Sequence, residues 1–84
     1  MFSFDSDEYK EIPEGMRQGL LRYAKDNMKA GGFVEALASN DLKEAVGRAD
    51  PANRPLISVY VLWLMNEAPS DCFGSALKYS EWVR

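Results

Sequence analysis

The chain has 84 residues, 46% of them hydrophobic, with ten basic and thirteen acidic side chains, a net charge of −3, no histidine and one cysteine. That length makes one domain, with no room for a catalytic module beside a second unit. Without histidine the commonest general base near neutral pH is missing, and so are histidine-activated nucleophiles and ordinary zinc sites. The composition therefore predicts a protein that works by binding, with no catalytic residues, no metal and no cofactor.

Charge is distributed unevenly. Asp5, Asp7, Glu8, Glu11 and Glu14 face only Lys10 within the first fourteen residues, a local charge of −4, while the remaining seventy hold eight acids and nine bases. Neither part has the basic stripe that neutralises phosphates, so duplex nucleic acid is not an expected partner. The acidic opening lacks the pattern of a signal peptide. The longest apolar run, residues 59–65, is far short of the roughly 20 residues that span a bilayer. The expectation is a cytoplasmic protein off the membrane, its lone Cys72 reduced.

In chain order, residues 1–12 read as an irregular acidic arm, and residues 13–84 as a single helical domain. The arm's Phe2, Phe4 and Tyr9 either meet a basic partner or, on the simpler reading, pack on the body. Pro13 predicts the start of a first helix, since proline wastes no amide there and Glu14 suits the positive end of the dipole. Met16, Leu20, Tyr23, Ala24 and Asn27/Met28 follow at helical spacings, and Gly31–Gly32 is expected to end the helix with a positive φ. A second helix is predicted from Phe33 to about Ala38. Asp41 with Glu44 has the spacing of a capping box and opens a third, with Leu42, Ala45, Val46 and Ala49 as its buried side.

Residues 50–53, Asp-Pro-Ala-Asn, are turn chemistry. Asn53 is expected to cap a fourth helix with Pro55 in its first turn. From Leu56 to Met65 only Ser58 is not apolar. A helix apolar on nearly every side must be covered on nearly every side, which makes it the centre of the bundle or a subunit interface. Ala68–Pro69 stops it, and Ser75 caps a last helix carrying Leu77, Tyr79, Trp82 and Val83. The predicted fold is all-α, a compact bundle of four to five short helices.

Three features are candidates for ligand contact. The densest polar stretch holds Asn40, Asp41, Arg48, Asn53 and Arg54, a mixture of amides, carboxylates and guanidinium groups able to recognise a nucleobase edge and phosphates. The competing reading makes them helix caps and a solvated Glu44–Arg48 pair. Tyr60 and Trp63, three apart, could stack a planar ligand, or serve as core. Gly31–Gly32 beside Lys29 offers backbone amides to an anion, or forms only a tight corner. Cys72, with no histidine to activate it, reads as a small buried apolar residue.

Taken as a set, Ile12–Pro13–Glu14 with Met16, Gly31–Gly32–Phe33, residues 40–45 (Asn-Asp-Leu-Lys-Glu-Ala), Arg48–Ala49–Asp50 with Asn53, residues 66–69 (Asn-Glu-Ala-Pro), residues 72–75 (Cys-Phe-Gly-Ser) and Trp82 resemble a family of small bacteriophage and prophage proteins without assigned chemistry. The chain departs from that pattern at Phe73, where tryptophan is expected, and at Ala76, where proline is. The resemblance implies an accessory protein acting on the host. Its leading form is a homo-oligomer that sequesters a nucleotide-like signal of bacterial immunity. The alternatives are an inhibitor or adaptor that docks on a bacterial defence protein, and a phage assembly factor.

Overall fold

Prolines stand at the starts of two helices and side-chain caps at the starts of two others. The computed structural model describes residues 2–83. Among them are α1 (Glu14–Ala24), α2 (Gly32–Ala38), α3 (Leu42–Arg48), α4 (Ile57–Glu67) and α5 (Ala76–Trp82), with no strand, so the domain is an all-helical bundle. Single 3₁₀ turns at Asp7–Tyr9, Arg54–Leu56 and Ser70–Cys72 join them. The Asp41 carboxylate accepts from the Glu44 amide at 3.2 Å and starts α3, and Ser75 Oγ accepts from the Lys78 amide at 3.0 Å and starts α5. Each cap satisfies an amide that has no partner inside its helix.

Two boundaries differ from the sequence expectation. α1 ends at Ala24, and the left-handed turn beyond it falls on Asn27, with φ of 59°. Asparagine tolerates that region because its short polar side chain bonds locally; here Asn27 Nδ2 donates to the Trp82 carbonyl at 3.0 Å. Gly31 has an ordinary φ of −69° and is the N-cap of α2 rather than the C-cap of α1. Asn53 does not cap α4 with its side chain either, because Pro55 sits in the 3₁₀ turn that precedes that helix.

The core gathers Leu20, Tyr23 and Ala24 of α1, Val34, Leu37 and Ala38 of α2, and Tyr60, Trp63 and Leu64 of α4, together with Cys72 and Tyr79. The N-terminal arm is part of it. Tyr9 and Ile12 are buried, Phe4 stacks on Trp63, and Trp63 Nε1 donates to the Ser3 carbonyl at 2.9 Å. Arg17 of α1 clamps the segment, donating to the carbonyls of Ile12 and Lys10 while its guanidinium lies 5.4 Å from the centre of the Phe4 ring.

α3 is buried less than its pattern predicts. Ala45 and the adjoining Ala49 are enclosed, but Leu42 is 68% exposed and Val46 40%. On α4, Leu62 and Met65 remain 39% and 58% exposed on the side away from the core. The chain has too few helices to cover both sides of α4, so one apolar face stays in solvent.

Candidate functional site

α2 and α3 form a tight corner through Ser39, Asn40 and Asp41. Asn40 turns the chain with φ of 60°, and the Asp41 amide bonds back to the Ala36 carbonyl at 2.9 Å. This reversal brings the far end of α3, Arg48, over the first residue of α2. A Cβ on Gly32 would lie 2.6 Å from Arg48 Nη1, so the guanidinium rests on bare backbone. Arg48 Nε and Nη2 both donate to Glu44 Oε1, at 3.3 and 3.2 Å. Since both partners are about half exposed, the pair orients the guanidinium more than it stabilises the fold.

Beside Arg48 is a cavity of about 230 Å³ between α2, α3 and the start of α5, lined by Gly32, Glu35, Ser39, Asp41, Glu44 and Arg48. Three carboxylates thus face a single guanidinium. Asp41 and Arg48 are the two residues singled out from the sequence that meet there. Asn40 instead lines a shallow apolar socket with Leu42, Ala45, Ile57 and Val61.

The other four candidates are placed in structural contacts. The Tyr60 hydroxyl donates to Asn53 Oδ1, both groups buried, while the Asn53 amide bonds to the Asp50 carboxylate at 2.8 Å. Burial, with Asp50 nearby, pushes the Tyr60 hydroxyl up to about 12. Trp63 is wholly enclosed, within the core on one side and under the arm on the other. Arg54 donates to the carbonyls of Ala49 (3.0 Å) and Val46 (3.4 Å), which closes the end of α3 where positive charge suits the dipole.

No family model, curated protein or solved structure matches this chain. The likeness to small phage proteins therefore rests on the sequence motifs alone.

Sequence reasoning passed over Glu35 and Ser39. Glu35 carried a signal, being the one charged residue in α2, between apolar neighbours. The glycine pair was noticed, but for an anion and not for the side chain that covers it. Cys72 is buried, and burial raises its thiol to about 11, well away from a reactive thiolate. Among the described residues no group of three cysteine, aspartate or glutamate side chains is placed to hold a metal ion, and no helix is long and apolar enough to cross a membrane.

Proposed function

We propose that the chain is a non-enzymatic binding protein that, as a homo-oligomer, holds a small nucleotide-like molecule in the cavity beside Arg48. The observation that carries this reading is the convergence of Arg48 and Asp41 with Glu35 and Ser39 around one cavity of about 230 Å³. Such a space lies below the usual range of about 300–1,000 Å³ for ligand pockets, with room for one planar ring system. Three carboxylates against one guanidinium favour a group rich in hydrogen-bond donors, such as the amino and imino edge of a base, and disfavour phosphate inside the cavity. The base would enter and the phosphates would stay in solvent. In the phage setting implied by the sequence motifs, the molecule withdrawn would be a signal of host immunity in the bacterial cytoplasm.

Thermal denaturation against nucleosides, nucleotides and cyclic dinucleotides tests the proposal. A ligand present at about 100 times its Kd adds about 2.7 kcal/mol to stability, a rise of roughly 10–20 °C in Tm for so small a domain. Arg48→Ala and Asp41→Asn are expected to remove that rise, and a nucleoside to bind at least as tightly as its nucleotide. Absence of any shift across the panel rejects the reading.

A second reading, docking on a bacterial defence protein, draws on the exposed Leu42, Leu62 and Met65. Pull-down of a host protein that is lost in Leu42→Lys would favour it.

A further inference from the structure

We infer that the outer face of α4 is a self-complementary interface on which a second copy packs with its own α4 antiparallel. This rests on the self-association proposed above and adds its geometry. Leu62 and Met65 project from α4 on the side away from Tyr60, Trp63 and Leu64, and the small Ser58 lies on the same side, one turn before Leu62. Next to this stripe Leu42, Ala45, Ile57 and Val61 frame a shallow apolar socket of about 50 Å³. Knob and socket therefore share one face, as the two-fold interface of a homodimer requires, where each patch meets its own copy.

An antiparallel pair fits the order of large and small residues. With Leu62 of one copy against Val61 of the other, Met65 comes to lie over Ser58, whose small side chain leaves it room beside the socket rim at Ile57. Methionine, unbranched and flexible, fills such an irregular hollow well.

Charge agrees with the same direction. Between Arg54 and Glu67 the only ionisable side chain is that of Tyr60, which is buried, so α4 itself brings no charge against a copy of itself; the acid nearest the seam is Asp41, at the edge of the socket. Arg54, whose guanidinium stays on the Ala49 and Val46 carbonyls of its own chain, would bring its positive charge near the end of the partner's α4, the negative end of that helix's dipole. Leu42, Val46, Leu62 and Met65 are all more than a third exposed, together on the order of 400 Å² of mostly apolar surface, the size of the largest patch on an ordinary monomer, which is often a functional one. A pair seated on this patch buries on the order of 800 Å² in total, the size of a weak, concentration-dependent association.

Light scattering on the eluting full chain, combined with disulfide trapping, tests this. Wild type is expected to have at least twice the chain mass at high concentration, and Leu62→Glu to weaken association at least tenfold with helicity unchanged. Ser58→Cys mixed with Met65→Cys should give a cross-linked pair on oxidation, while neither variant alone should cross-link; Cys72 is buried and stays out of the reaction. A wild type that is monomeric at every concentration overturns self-association itself. An oligomer that survives Leu62→Glu and traps no mixed pair leaves self-association standing and overturns this interface. Self-linking of Ser58→Cys overturns the antiparallel direction.

Discussion

Phe4 lies flat on Trp63, ring centres 4.8 Å apart and planes within 6°. A residue near the start of an acidic, irregular segment thereby covers one side of the largest side chain in the core. Truncating the half-buried Phe4 to alanine removes this stack and part of the apolar cover, a loss of about 2–3 kcal/mol. Chemical denaturation should show it as a lower midpoint with little change in slope. If Phe4→Ala unfolds like wild type, the arm contributes nothing to stability.

Tyr60 and Asn53 are expected to act as a structural couple. Asn53→Ala strands a buried hydroxyl, which costs about 1–3 kcal/mol. Tyr60→Phe in the same chain removes the stranded group, so the double variant should lose less than the sum of the single ones. A thermodynamic cycle on denaturation midpoints measures the coupling. Additive losses would mean the contact contributes no energy of its own.

Gly32→Ala separates ligand binding from folding. The added methyl must displace the Arg48 guanidinium, which is the mobile end of an exposed side chain, so the change in stability should stay within about 1 kcal/mol. Ligand affinity at the cavity should fall together with that of Arg48→Ala. Calorimetric titration of both variants with a ligand found in the thermal panel checks this. Unaltered affinity in Gly32→Ala would move the site away from Arg48.

Alkali should destabilise the fold. Burial raises the Cys72 thiol from 9.0 to about 11, and the Tyr60 hydroxyl from 10.0 to about 12. Both folded values exceed the unfolded ones, so the neutral forms stabilise the native state fully below pH 9. Between pH 9 and about 11 the unfolded chain releases the thiol proton that the folded chain keeps, and stability declines; Tyr60, with Tyr23 and Tyr79, whose hydroxyls burial also raises, extends the decline above pH 10. Cys72→Ala should flatten the lower part of the curve and leave the upper part. Urea midpoints followed from pH 7 to 12 give the profile.

Local chemistry carried most of the helical plan. Asp41 and Ser75 are caps as their spacing suggests, and Pro13, Pro55 and Pro69 lie at helix boundaries. What escaped depends on contacts between distant residues. Leu42 and Val46 have the spacing of a buried face, but periodicity says only that a face is apolar, not that a neighbour covers it. Asn27 took the left-handed turn expected of Gly31–Gly32 because Trp82, far along the chain, offers its amide a partner. For the same reason Arg48 and Asp41 were legible as polar residues near a corner, while Glu35 and Ser39 joined them only once α2 folded back on α3.

The arm's placement also bears on the order of folding. Phe2 donates its amide to the Glu67 carbonyl, Ser3 donates to the Glu67 side chain, and Trp63 donates to Ser3, across separations of sixty positions and more. Contacts so distant along the chain slow folding, because a long loop must close before they form. During synthesis this segment leaves the ribosome well before α4 and must wait for it before it has a surface to lie on. Until then Phe4 and Tyr9 remain exposed, and the window for aggregation closes only when α4 has emerged.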